Sequence, residues 1–344
     1  MMRYILTVFL IVLFIFDARG QKRDEKEFTV VFYNVENLFD TLDAPGFKDE
    51  EFTPESEKNW DTEKYRKKLE DIAQVLSSVH RKELPEVIGL AEVENRLVLE
   101  DLVKTKALEK GDYQIIHDES PDMRGIDVAL LYRKGELKSV DFTTTRIDFP
   151  FDTSLTTRDI LHVQAKVPDG QKIHFFVNHW SSRYGGRKES EPKRLYCAVN
   201  LRRKIDLILS RESDPRFIIM GDFNDEPTNR SMLNVLLAGN KRKNIGPGDL
   251  YNLYYDMHNM KGKGTYFYRG NWNMLDHIVC SYNLINREGF YSCDYTDGKI
   301  FREDWMFYEN DKGIKVPSRS FGGPNYYGGI SDHLPVYVTL TIDE

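Results

Sequence analysis

Two short stretches constrain this chain more than any others: residues 217–224, FIIMGDFN, and residues 331–338, SDHLPVYV. In the first, four apolar residues run into Gly221, Asp222, Phe223 and Asn224. An apolar run halted by glycine reads as a buried strand, here ending in a turn that sets a carboxylate beside a carboxamide. In the second the order is inverted, and Asp332 and His333 precede the apolar strand. The pattern recurs. Residues 28–33 (FTVVFY) run into Asn34-Val35-Glu36-Asn37, residues 87–91 into Glu92, and residues 173–177 into Asn178-His179, while residues 275–280 carry Asp276 near their start. A lone strand-end Asp is commonly a turn cap and a lone His commonly structural. Six strand ends carrying the same chemistry describe a rim of polar groups around a hydrophobic sheet.

The chain between these ends is long enough to bury that sheet. Its 344 residues are 40% hydrophobic and 12% aromatic, which suits one large domain. The first residues stand apart. Arg3 precedes a nearly unbroken apolar run over residues 4–16, followed by Ala18 and Gly20. This is the pattern of a secretory signal, with an uncut anchor as the alternative. The expected organisation is a signal peptide over residues 1–20, a charged leader over 21–27 and one domain over 28–344, with the mature chain secreted or periplasmic, without a membrane span and monomeric. Losing Arg3, Arg19 and Asp17 moves the net charge from −7 to −8, which does not mark an obvious nucleic-acid binder. Three cysteines, Cys197, Cys280 and Cys293, allow at most one bridge, and sequence proximity favours Cys280 with Cys293.

Asp61 is a candidate cap for a helix carrying Tyr65, Leu69, Ile72, Val75, Leu76 and Val79 at helical spacing. Further helices are expected over residues 97–108 and through Leu201, Ile205, Ile208 and Leu209. Strand pairs are expected over 113–116 with 127–132, and over 160–167 with 173–177 around the turn Pro168-Asp169-Gly170. A final strand is expected over 334–341. Residues 40–63 read as a solvated acidic surface loop, and residues 287–330 match no regular pattern. The runs do not alternate strictly, so a singly wound parallel sheet fits poorly.

Carboxylates and carboxamides are hard oxygen ligands suited to Mg²⁺, with Mn²⁺ or Ca²⁺ also possible. Without a cysteine cluster or an HExxH sequence, zinc is disfavoured. Two histidines with carboxylate partners suit acid–base chemistry near neutral pH. Together these groups suit hydrolysis of a phosphate ester.

In this order, FYNVENLF, IGLAEVEN, RGIDVALLY, VNHW, GDFND, LDHI and SDHLPV resemble the endonuclease/exonuclease/phosphatase superfamily, which includes pancreatic-type deoxyribonucleases, abasic-site endonucleases, bacterial sphingomyelinases and inositol polyphosphate 5-phosphatases. The resemblance spans about residues 28–342. It implies an α+β fold, a four-layer α/β/β/α sandwich in which two packed mixed β-sheets are flanked by helices. It implies Glu92 as the principal metal ligand, with Asn34, Asp332 and Glu36 beside it. His179 would polarise the phosphate, Asp222 would orient or deprotonate water, Asn224 would hold a phosphate oxygen, and Asp276 would fix the tautomer of His333. Whether Asp222 or His333 takes the proton stays open, and Asp127 is a candidate support for His179.

Arg124, Arg183, Arg194 and Asn178 are the expected substrate contacts. Residues 181–203 carry seven basic residues and two acidic ones, as either a polyanion-binding loop or an ordinary charged helix start. Trp180, Tyr266 and Trp272 would stack on bases or pack in the core. The leading expectation is a secreted nuclease. A phosphatase or lipid-headgroup phosphoesterase on the same fold is the first alternative, and a non-catalytic binding module the second.

Overall fold

The computed structural model describes residues 26–286 and 291–342. The signal segment and residues 21–25 of the leader lie outside them. The chain opens with strand β1 (Lys26–Leu38), helix α1 (Thr62–Ser78), β2 (Val87–Val93), α2 (Arg96–Val103), β3 (Tyr113–His117) and β4 (Asp127–Arg133). Then come β5 (Lys138–Thr145), β6 (Ile160–Lys166), β7 (Lys172–His179), α3 (Arg187–Leu209) and β8 (Arg216–Asp222). The short strands β9 (Ala238–Gly239), β10 (Leu250–Asn252), β11 (Tyr266–Tyr268) and β12 (Asn271–Asn273) lead to β13 (Asp276–Ser281). Beyond it lie β14 (Lys299–Ile300), β15 (Phe307–Glu309), β16 (Lys315–Pro317), β17 (Phe321–Gly322), β18 (Asn325–Tyr326) and β19 (Val336–Ile342).

Two mixed sheets carry the fold. The first has the order β14-β19-β1-β2-β4-β3 and the second β5-β6-β7-β8-β13-β10-β9. The parallel pairs β1–β2 and β7–β8 sit inside their sheets. Side chains on successive strand residues face opposite sides, and here both sides are covered. Val30 and Phe32 join Phe175, Val177, Ile218 and Met220 in the layer between the sheets. Val31, Tyr33 and Val35 face α1 and α2 through Leu69, Ile72, Leu76 and Leu99. Phe217 and Ile219 face α3 through Ala198, Leu201 and Ile205. Three cores separate four layers, which is why the strand sequences read as continuous apolar runs. The architecture is the expected α/β/β/α sandwich.

The helix starts follow their caps. Asp61 accepts from the Lys64 amide at 2.9 Å, and Asn95 accepts from that of Val98 at 3.0 Å. Some boundaries differ from expectation. The first strand does not stop at Tyr33 but continues to Leu38, and its start takes in Lys26 and Glu27 of the expected leader. The helix expected over 97–108 is shorter, Arg96–Val103. Strand β5 was not anticipated; its pattern is mostly exposed, so it lacks an apolar signature. Residues 40–63 are not simply a solvated loop. Phe52 and Trp60 are buried, with Phe52 stacked on Phe39 at 4.2 Å and edge-on to Phe321. All three cysteines are buried free thiols, so Cys280 and Cys293 are not bridged.

Candidate active site

One end of the second sheet aligns three polar residues by register alone. His179 of β7 lies opposite Asp222 of β8, and Asp222 lies opposite Asp276 of β13, so the three share one face. The approach of β7 to β8 needs glycine at 221, where a Cβ would sit 2.4 Å from the Asn178 carbonyl oxygen. Asp222 is held by the Asn224 amide at 2.9 Å and by Asn34 Nδ2, from the other sheet, at 3.1 Å. His333 also crosses from the first sheet. Its Nδ1 is 2.8 Å from Asp276 Oδ2 and its Nε2 is 3.8 Å from Asp222 Oδ2. Tyr266 stacks on the His333 ring at 4.7 Å.

The first sheet delivers its groups through distorted backbone. The β1–β2 register breaks between Asn34 and Leu38, and the β2–β4 register between Ala91 and Val93. These adjoining bulges put Glu36 (φ 52°), Asn37 (φ 56°) and Glu92 (φ 62°) in the left-handed region, which L residues avoid. Glu92 thereby leaves the sheet face and enters the cleft. Its Oε2 accepts from the Asn37 amide at 3.0 Å and lies 3.4 Å from Arg124 Nη2, and its Oε1 lies 3.8 Å from His179 Nε2. Glu36 Oε2 accepts from the Ser320 amide at 2.8 Å. Asp332 Oδ2 is 2.5 Å from Arg319 Nη2. The ends of both sheets open into a cavity of about 840 Å³.

Burial pushes His179 well below its usual pKa, and Arg158, Arg124 and His333 push the same way. Its neutral ring has Nε2 3.6 Å from Asp222 Oδ2, so the two nearby carboxylates favour the proton on that nitrogen. Burial raises Asp222 to about 7, opposed by His333 and reinforced by Asp276. For His333 burial acts downward, yet Asp276 and Asp222 outweigh it and hold the imidazolium well above its usual range. Burial raises Glu36 to about 8, with Asp332 adding and Lys68 opposing.

The donor set fits a hard divalent cation. Glu92 presents a carboxylate oxygen to the cleft beside an exposed arginine, and Glu36 and Asp332 also line it with carboxylates. Asn34, expected as a ligand, is buried off the cleft, its Oδ1 accepting from the Glu36 amide at 3.0 Å and its Nδ2 donating to Asp222.

Several expected roles do not match the placement. Arg194 is fully buried and ion-paired to Asp225 at 2.8 Å, so it braces the loop after β8 and does not reach the cleft. Asn178 is also fully buried; its amide donates to the Met220 carbonyl and accepts from Trp180 Nε1. Arg183 lines the cleft, but its guanidinium donates to the Asn224 carbonyl at 2.7 Å and to Asn273 Oδ1. Among the seven basic residues over 181–203, Arg183 alone lines this cavity. Trp180 packs edge-on against Phe223 in the core, and Trp272 packs against Phe267 and Phe307. Asp127 does not support His179: it binds His117 Nε2 at 3.1 Å and the Ser120 amide at 2.8 Å. His179 Nδ1 has no hydrogen-bond partner among the described residues.

Other site residues escaped the sequence reading. Arg158 donates to the carbonyls of His179 and Trp180 and to Asp122 Oδ2 at 2.8 Å, and Asp122 Oδ1 holds the Arg124 amide. Arg158 thus fastens the His179 strand end to the turn carrying Arg124. Arg319 comes from the stretch with no regular pattern, and Lys68 rises from α1 to donate to Ser320 Oγ and the Ile330 carbonyl. Lys68 carried one usable signal: a lysine on the apolar stripe of an otherwise amphipathic helix.

Residues 29–342 match the family model described as Endonuclease/Exonuclease/phosphatase family, and the chain belongs to that family. Solved structures with the same fold include an endonuclease/exonuclease/phosphatase family protein from Bacteroides thetaiotaomicron, with 18% identity, coverage of 94% of this chain and 100% of that one, and a TM-score of 0.56. They also include D. rerio TDP2 complexed with single strand DNA product (15% identity, coverage 91% and 98%, TM-score 0.54). A third is a mannosyl-6-phosphatase from Bacteroides thetaiotaomicron (18% identity, coverage 91% and 99%, TM-score 0.52). A search of curated proteins finds no match. Family membership carries the reaction class: the chain is a divalent-metal-dependent phosphoester hydrolase.

Proposed function

We propose that this family member is a magnesium-dependent phosphoesterase that hydrolyses a compact phosphorylated substrate, with Asp222 as the base that takes the proton from the attacking water. The carrying observation is the register-aligned row of His179, Asp222 and Asp276 with His333 closing it from the other sheet. Because His333 is already charged, the carboxylate of Asp222 is the better acceptor. Neutral His179 offers its Nε2 proton to phosphoryl oxygens, and Asn224 the second N–H of its carboxamide, the first being on the Trp180 carbonyl at 3.0 Å. Water adds to phosphorus, the ester P–O bond breaks, and the imidazolium of His333 supplies the proton for the leaving oxygen. Mg²⁺ on Glu92 would supply charge neutralisation at the phosphoryl group.

The compact substrate is favoured by the cleft rim. Glu51 and Glu57 line it together with Lys58, which pairs with Glu51 at 2.9 Å, whereas the basic stretch after His179 lies largely on α3 and away from it. The nuclease reading keeps one specific support, the stacked rings of Tyr266 and Tyr268 beside the catalytic row, which suit a base. Parallel assays with a sugar phosphate, an inositol polyphosphate, sphingomyelin, plasmid DNA and single-stranded RNA decide between them. Turnover of a small ester with weak salt dependence is expected. Nicking of DNA or RNA with affinity falling steeply in salt would overturn the compact substrate and keep the chemistry.

Export through residues 1–20 is part of the proposal and rests on the sequence pattern alone. N-terminal sequencing of the exported protein is expected to begin at Gln21; a retained Met1 would contradict it.

A further inference from the structure

Arg183 and Arg194, expected on the substrate, converge on one turn. The Gly186 amide donates to the Arg183 carbonyl at 3.0 Å and closes a turn over residues 183–186. Gly185 (φ 81°) lies there in the left-handed region that glycine takes readily. Buried Arg194 grips the chain on both sides of the turn, through the Ser182 carbonyl at 3.4 Å and the Arg187 carbonyl at 2.9 Å. It is itself paired with Asp225 at 2.8 Å. Arg183 ties the turn to Asn224 and to Asn273, and Asn273 is the strand partner of Tyr266 in the β11–β12 hairpin. What this braced turn displays is Tyr184. It is 93% exposed, the most of any large hydrophobic residue among the described residues, and it lines the catalytic cleft. A lone exposed ring is ordinary on a protein surface. A ring held over an active site by two arginines is placed to bind.

Two further rings line the same cleft. Tyr268, 51% exposed, stacks on Tyr266 with centroids 6.2 Å apart, and Tyr266 stacks on His333. His333 is the group given the leaving oxygen above, so the row of rings begins beside the leaving alcohol. We propose that Tyr184, together with Tyr268, binds a ring on that alcohol, and that the substrate is a phosphate ester of a sugar or a nucleoside rather than of an open-chain alcohol. The inference rests on the phosphoesterase reading above and narrows its substrate. Tyrosine suits the task because it offers a large, rigid face at low conformational entropy cost, with a hydroxyl that stays in water. Because Arg183 joins the turn of Tyr184 to the hairpin of Tyr266 and Tyr268, the rings are carried by two fastened elements.

The test compares hydrolysis of glucose phosphate, adenosine monophosphate and glycerol phosphate by the full mature chain. Each is offered as the monoester and as its methyl diester, and release of the alcohol is followed. The quantity read is the preference for a ring, the ratio of kcat/KM for a ring ester to that for the glycerol ester. Wild type is expected to prefer a ring, and the arm that is faster, sugar or nucleoside, identifies which ring. Tyr184→Ala is expected to lower the preference about tenfold, chiefly through KM. Tyr184→Leu, apolar but not flat, is expected to fall with it, and Tyr184→Phe to keep the wild-type ratio. Tyr268→Ala is expected to move the ratio the same way. Tyr184 is 93% exposed, so its replacements are expected to fold, as circular dichroism would show. A wild type without preference for a ring, or an unchanged ratio in Tyr184→Ala, would overturn the inference and leave the phosphoesterase reading standing. Release of no alcohol from any of the esters by wild type would instead overturn that reading and this inference with it.

Discussion

The two sheets deliver polar groups to the same cleft by opposite means. The second sheet uses regular register: His179, Asp222 and Asp276 are neighbours across β7, β8 and β13, and the strands need only a glycine at 221 to pack. The first sheet uses two adjoining bulges and three left-handed residues, Glu36, Asn37 and Glu92. The row of His179, Asp222 and Asp276 is therefore built from regular strand backbone, with the left-handed Asn224 (φ 51°) just beyond it and His333 joining it from the first sheet. Glu92, the proposed ion ligand, sits on backbone held away from its preferred conformation, at a cost of order 1 kcal/mol per residue. A row fixed by hydrogen-bonded register can hold its groups to tenths of an ångström. A bulge lets a carboxylate leave the plane of the sheet, as an ion ligand must.

The largest expected effects break the second-sheet row. Asp222→Asn and His179→Ala are each expected to lower turnover about 10²–10⁴-fold with the fold intact by thermal melting. Near-wild-type rates in either would remove proton handling from that sheet. Next is Asp276→Ala, which leaves the charged ring of His333 buried without its partner. Urea denaturation is expected to show a loss of about 3–5 kcal/mol. In the milder Asp276→Asn, the His333 pKa falls because the carboxylate that raised it is gone. The alkaline limb of the rate profile should then move to lower pH, and a limb that stays put would contradict His333 as the acid.

A smaller effect sharpens the contrast. Glu92→Gly relieves a left-handed residue and is expected to raise stability by about 1 kcal/mol while abolishing ion-dependent turnover. A destabilised Glu92→Gly would mean that the bulge is not strained. A further contrast is in pH. Burial raises Glu94, beside β2, to about 8. The folded state therefore keeps a proton that the unfolded state releases above about 4.5, and this contribution to stability is lost as pH rises toward 8. Burial lowers His277, on β13, to about 3, so its contribution is present above about 6.5 and lost as pH falls toward 3. Relative to wild type, Glu94→Gln should gain stability as pH rises from 5 to 7, and His277→Asn should lose it. Parallel slopes would show that the two halves do not differ in this way.

The legible part of the molecule was the part that follows period and register. The runs FTVVFY and FIIM announce strands buried on both faces, and the polar residues after them mark the rim. The bulges were not legible, because FYNVENL carries no glycine or proline to show that the strand continues through Glu36. Arg183, Arg194 and Asn178 read as substrate contacts from position alone. Their hydrogen bonds to Asn224, Asp225 and Met220 depend on tertiary contacts that no local pattern encodes. Arg319 and Arg158 were missed for the same reason: each acts through carbonyls or carboxylates distant in sequence.

The most direct test of the account is turnover of the best phosphate ester as a function of Mg²⁺ concentration, for wild type, Glu92→Gln and Asp222→Asn. Glu92→Gln is expected to raise the Mg²⁺ concentration at half-saturation by at least about tenfold, the loss that even an outer-shell partner of a ligand causes. Asp222→Asn is expected to lower the plateau with half-saturation nearly unchanged. Rates that are the same in EDTA, or two variants that move plateau and half-saturation alike, would contradict a cleft in which Glu92 holds the ion and Asp222 handles the proton.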